Sequence, residues 1–99
     1  MAATPEGKVK KAVGKLLDEY SVYYFSPSSH GYGRSGIPDI ICCLQGGKFL
    51  AIECKAGNNE PTALQQREIR RIQAHHGIAV VINESNLALL ELILKENTQ

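Results

Sequence analysis

The chain has 99 residues, 43% of them apolar and 21% charged, with a formal net charge of +1. That suits one small globular domain, expected over residues 1–99, and excludes a polycation that binds by bulk charge. No apolar run reaches the roughly 18 residues of a membrane span, and the polar, lysine-bearing N-terminus lacks the apolar core of a leader. A cytoplasmic protein is therefore expected, bacterial or, if phage-encoded, in the host cytoplasm.

Charge is unevenly spread. Residues 1–83 hold ten of the eleven Lys and Arg and seven of the ten acids, a balance of +3 that allows a modest basic surface. Cys42, Cys43 and Cys54 read as reduced core residues, since the count is odd and no Cys-x-x-Cys spacing offers a zinc site.

In chain order, Thr4-Pro5-Glu6 reads as a helix start, with Thr4 as N-cap and Pro5 at the first helical position. Val9, Ala12, Val13, Leu16, Leu17 and Tyr20 follow at helical spacing, with Lys8, Lys11, Lys15 and Asp18 opposite. Glu6 lies on the core-facing side of the first turn. It is either an acid favoured by the helix dipole or a carboxylate aimed at a site. Ser21 to Phe25 reads as a strand. Ser26 to Gly36 is a loop carrying His30, Tyr32, Arg34 and Ser35, either a plain connection or a substrate-contacting segment.

Two apolar runs follow, Gly36 to Leu44 and Phe49 to Lys55, around the turn Gln45-Gly46-Gly47-Lys48, which is the pattern of a β-hairpin. Ala56 to Pro61 is a polar turn. A second helix is expected from about Thr62 to His76, closed by Gly77. Thr62 and Gln65 match a capping box, yet the helical projection sets Gln65 with Ile69, Ile72 and His76 on the sheet-facing stripe, and Arg67, Arg70 and Arg71 away from it. Ile78 to Ile82 is a continuous apolar run, expected as a central strand. Asn83 to Asn86 should cap a last helix from Leu87 to about Lys95. The order is αβββαβα, and the fold class is α/β (α+β).

Asp39, Glu53 and Lys55 sit inside apolar strand patterns, where a charge is costly unless paired or bound to a metal. Alternation puts Glu53 and Lys55 on one face and Leu50, Ile52 and Cys54 on the other. Asp39 comes from the neighbouring strand. Two hard oxygen ligands suit Mg²⁺ or Mn²⁺, which would keep several waters. Such a metal can activate water, while Lys55 can orient that water and neutralise charge on a pentacoordinate phosphate. The competing explanation is a buried ion-pair cluster, an arrangement that usually costs stability in a small domain.

Gly36-Ile37-Pro38-Asp39 followed by Glu53-Cys54-Lys55 resembles the PD-(D/E)xK nuclease superfamily. The order of elements resembles its restriction-endonuclease-like αβββαβ core, a central mixed sheet flanked by helices. With Leu64-Gln65-Gln66 and His76-Gly77-Ile78-Ala79-Val80-Val81, the chain is similar to the virus-type replication-repair nuclease (VRR-NUC) domain from Glu6 to about Ile82. The resemblance implies that Asp39, Glu53 and the Cys54 backbone carbonyl hold the metal, that Lys55 is catalytic, that Gln65 lies near the metal, and, by a looser match, that Glu6 joins the site. His30, Tyr32, Arg34 and Ser35 would then contact DNA.

The resemblance implies a Mg²⁺/Mn²⁺-dependent DNA endonuclease, expected as a homodimer acting on branched DNA such as a four-way (Holliday) junction. A helicase or other replication partner is compatible with it. The alternatives are a less selective flap or nicking nuclease, a nucleic-acid-binding module without turnover, and a metal-binding structural protein.

Overall fold

In the computed structural model, residues 4–27 and 34–98 are described. Helix α1 (Pro5–Glu19) is followed by strands β1 (Tyr23–Phe25), β2 (Ile40–Cys43) and β3 (Phe49–Cys54), with a short 3-10 turn at Gln45–Gly47 inside the β2–β3 hairpin. Helix α2 (Ala63–Ala74), strand β4 (Ile78–Ile82) and helix α3 (Leu87–Glu96) complete the chain. The architecture is α+β, with a mixed four-stranded sheet and helices on both faces, as the sequence predicts.

The sheet order is β1-β2-β3-β4. The first two pairings are antiparallel, and β3 and β4 run parallel through the α2 crossover. One face carries Ile40, Cys42, Leu50, Ile52, Cys54 and Ile82, which pack with Val9, Val13 and Leu17 of α1 and Leu90 and Leu94 of α3. Full burial of each such aliphatic side chain contributes on the order of 1.5–3 kcal/mol. The opposite face carries Phe49, Ala51 and Glu53, and α2 packs over it against β3 and β4.

Several expectations change. The apolar run Ile78–Ile82 forms an edge strand rather than a central one. Its continuous apolarity reflects helices on both faces, which hide its side chains while leaving its outer backbone edge open to other partners. Ile82 O accepts from Lys55 N just past β3, so Ala79 and Val81 direct their backbone groups outward. Side-chain amides cover both carbonyls: Gln73 Nε2 donates to Ala79 O at 3.2 Å and Asn86 Nδ2 to Val81 O at 3.0 Å. Asn86 thus precedes α3 without capping it through its side chain.

The strand expected from Ser21 is shorter, because α1 ends there in a Schellman turn. Val22 N donates to Leu17 O and Ser21 N to Asp18 O, both at 3.0 Å, with Ser21 at φ +55°. α2 ends the same way. Gly77 N donates to Ile72 O and His76 N to Gln73 O, both at 3.0 Å. The left-handed residue there is His76, at φ +70°, rather than Gly77. His76 therefore lies beyond the helix and is exposed, off the predicted buried stripe. Cys42 and Cys54 are buried as expected, whereas Cys43 is exposed on the uncovered part of the sheet.

Candidate active site

The hairpin ladder ends at Ile40↔Ile52, and one further step sets Asp39 opposite Glu53 on the same face. Pro38 has no N–H to extend the ladder. The Asp39 side chain takes over instead: Cys54 N donates to Asp39 Oδ2 at 2.8 Å. A residue's N–H and C=O leave a strand on the same side, so the Cys54 carbonyl also leaves toward Asp39. Proline and aspartate together therefore end the strand and fix one carboxylate at its mouth.

Glu53 is 2% exposed. Its Oε2 lies 3.7 Å from Lys55 Nζ, and its Oε1 is buried without a hydrogen-bond partner. Burial pushes its pKa up to about 7, helped by the Asp39 charge, opposed by Lys55, and raised further by the Asp39 hydrogen bond and Glu6. An orphaned buried carboxylate oxygen beside a second carboxylate and a backbone carbonyl fits a hard divalent cation. Among the described residues no cluster of three or more His, Cys, Asp and Glu side chains gathers. Two carboxylates and one carbonyl would leave such a cation much of its water, as Mg²⁺ prefers.

Two charged residues with partners on distant segments escaped the sequence reading, and the first is at this site. Lys10 Nζ lies 3.3 Å from Asp39 Oδ1. Partial burial lowers its pKa, but the charge and hydrogen bond of Asp39, with Glu6 behind, more than offset this and the net shift is upward. The signal was present: Lys10 falls four residues after Glu6 and three before Val13, on the inward side of α1. Glu6 is half-buried at the first turn, and its charge reaches Glu53, Lys10 and Cys54. It stands on the site's side while also meeting the helix dipole. Burial holds the Cys42 and Cys54 thiols up at about 12, so neither serves as a nucleophile.

The second is Glu68, 3% exposed beneath α2. Arg34 grips it with a two-point fork, Nε to Oε2 and Nη2 to Oε1, both at 3.1 Å, and Arg71 Nη1 approaches Oε2 at 3.4 Å. Glu68 lies three residues after Gln65, so the same projection that drew attention to Gln65 also pointed inward at Glu68. Arg34, expected to meet phosphates, thus commits two of its N–H groups to the protein. Ser35 is exposed in the following turn, and His30 and Tyr32 lie outside the described residues.

Gln65 completes the capping box: its Oε1 accepts from Thr62 N at 2.8 Å, and its own N–H donates to Thr62 Oγ1 at 3.2 Å. It is half-buried. Next to this turn, Gly36 at φ +87° passes so close that a Cβ would lie 2.5 Å from Leu64 O. The approach to Asp39 is thereby locked against the start of α2.

Comparison with known proteins bears on this geometry. The family model described as archaeal Holliday junction resolvase (Hjc) matches residues 16–91. A solved structure described as a VRR_NUC domain superposes with a TM-score of 0.69 at 27% identity, covering 82% of this chain and 86% of that one. The protein named "Putative nuclease p44" of Acyrthosiphon pisum secondary endosymbiont phage 1 is 38% identical over 56 residues. That match covers 57% of this chain and 60% of the phage protein, so it spans less than two thirds of its relative.

Proposed function

The chain belongs to the archaeal Holliday junction resolvase (Hjc) family of nucleases, and from that premise we propose that it is a Mg²⁺- or Mn²⁺-dependent endonuclease that cuts four-way DNA junctions as a homodimer. The observation that carries the reading is the buried, unpartnered Glu53 Oε1 facing a site that also holds Asp39 and Lys55.

Asp39, Glu53 and the Cys54 carbonyl would hold the metal, which when bound supplies an activated water and offsets charge on the phosphate. The other roles belong to the chain's own side chains. Lys55 is largely buried, 3.7 Å from Glu53, and cannot ligate a cation. Its ammonium donates hydrogen bonds to the attacking water and to a non-bridging phosphate oxygen, which fixes the in-line approach and neutralises the pentacoordinate state. The Cys54 N–H holds the Asp39 carboxylate in place. Lys10 balances Asp39 from α1. Glu6 and Gln65 support the site, Glu6 through its charge and Gln65 by fixing the start of α2 beneath Gly36. Arg34 and Ser35 face the DNA, with His30 and Tyr32 assigned to the same role.

Two symmetric sites match the twofold symmetry of a junction with opposed cuts. The test is cleavage of a labelled four-way junction with and without Mn²⁺, alongside light scattering. Paired metal-dependent cuts by a dimer are expected. A monomer that nicks linear duplex as fast as the junction overturns the junction reading, and no cleavage of any DNA overturns the nuclease reading.

A further inference from the structure

The Arg34–Glu68–Arg71 cluster opens onto a cavity of about 370 Å³ whose other walls include Phe49, Ile72 and Gly77. None of these residues belongs to the metal site. We infer that this cavity is a nucleotide subsite, which takes one phosphate and the unpaired base of a DNA strand leading away from the scissile bond. The inference rests on the nuclease reading above and adds where the strand is held.

The chemistry of the walls points to this ligand. Two guanidiniums share one buried carboxylate, so the cluster keeps a net positive charge. Each guanidinium carries five N–H donors, of which Arg34 gives two and Arg71 one to Glu68. The side chains are 61% and 52% exposed, so the remaining donors are within reach of an anion. Pinning the loop requires only the Arg34 fork. Arg71, with a single long contact, adds charge at the rim rather than rigidity.

The other half of the cavity is apolar. Phe49 is 43% exposed and offers a ring against which a base can stack. Gly77 keeps that space open, since a Cβ there would lie 2.7 Å from Ile72 Cγ2 and 3.3 Å from Phe49 Cδ1. Position supplies the link to the chemistry. Phe49 and Glu53 lie on one face of β3, four residues apart. That is about 13 Å along the strand, a few nucleotides at roughly 3.4 Å rise each. A strand whose scissile phosphate meets Glu53 can therefore place a neighbouring nucleotide in the cavity. An unpaired base is available where strands separate, as at a flap or an opened junction centre, and absent from intact duplex.

The test measures anisotropy of a fluorescein-labelled 12-nucleotide deoxythymidine strand in EDTA, which separates binding from turnover. Arg71→Ala should weaken binding several-fold and reduce the slope of log K against log salt by about 0.7, the value for one phosphate contact on a single strand. Phe49→Leu should weaken binding about tenfold, within the range measured for loss of one base stack, with little change in salt slope. Arg70→Ala, exposed on the same helix and away from the cavity, should leave both unchanged. Thermal melts of the variants check that the fold is kept. Wild-type affinity in Arg71→Ala and Phe49→Leu overturns the subsite, as does an equal loss in Arg70→Ala, which would mean diffuse charge. Junction cleavage by the unaltered protein with Mn²⁺ tests the nuclease reading separately.

Discussion

Gly36 sits against the carbonyl of Leu64 so closely that a Cβ would approach it to 2.5 Å and Gln65 N to 3.0 Å. The glycine is required twice over, by the close approach and by its φ of +87°. Gly36→Ala should cost on the order of 2–4 kcal/mol, combining left-handed strain with overpacking against backbone. It should also lower cleavage, because the displaced segment carries Asp39. Urea denaturation checks the first effect, and an unchanged midpoint would remove the close approach as an explanation.

The raised pKa of Glu53 makes metal-free stability depend on pH. The folded state holds its proton up to about 7, against an ordinary value of 4.5. Between those values the folded protein binds more protons than the unfolded chain, so stability is present below about 4.5 and lost as pH rises through 7. The loss reaches about 3 kcal/mol at most, at 1.36 kcal/mol per pK unit. Melts in EDTA should show a falling transition temperature across this window, and Glu53→Gln should flatten the profile and melt higher near pH 8. An identical profile in Glu53→Gln would assign the slope to other groups.

Loss of Lys10 should act on Mn²⁺ binding, and loss of Lys55 on turnover. Lys10 sits on Asp39 Oδ1, where it competes with an incoming cation. Lys10→Met should therefore tighten Mn²⁺ binding by several-fold, about 1 kcal/mol, the scale of a partly exposed ion pair. Lys55→Ala should bind Mn²⁺ at least as well and lose turnover about 10²- to 10³-fold, comparable to removal of one charge-stabilising donor. Isothermal titration paired with single-turnover cleavage reads both. Weaker Mn²⁺ binding in Lys10→Met would mean that Lys10 holds Asp39 for the metal rather than against it.

Ser21 and His76 occupy the left-handed positions of two Schellman turns where glycine is usual. Ser21→Gly and His76→Gly should each stabilise the domain by about 1 kcal/mol, through relief of left-handed strain. The turns close the C-terminal ends of two different helices, so the gains should add. Thermal melts of both singles and the double provide the check, and a lower transition temperature in either single would show that its side chain matters more than its strain.

The helices, the hairpin and the convergence of Asp39, Glu53 and Lys55 were legible because each rests on a local rule. Capping chemistry marked Thr4 and Thr62, Gly46 and Gly47 marked the turn, and alternation set Glu53 opposite the core. The edge position of β4 was not legible, because apolar side chains report which faces are covered and say nothing about which backbone edge is paired. Helix α2, expected to reach about His76, ends at Ala74, because glycine preference pointed to Gly77 while the chain spends its left-handed residue on His76. Lys10 and Glu68 were missed for a different reason. Each lies on the inward side of a helix among other charges, and its partner on a distant segment, Asp39 or Arg34, is what gives it a role.

The amides of Gln73 and Asn86 on the outer carbonyls of β4 have a consequence for aggregation. Growth of a sheet from chain to chain, as in a fibril, consumes one open edge of each molecule and presents another. With the outward carbonyls of Ala79 and Val81 already accepting, β4 offers an incoming strand only part of a ladder. Edge-to-edge pairing is then favoured on the β1 side, where it ends at a pair. The same two amides therefore make the domain a poor template for strand-by-strand polymerisation.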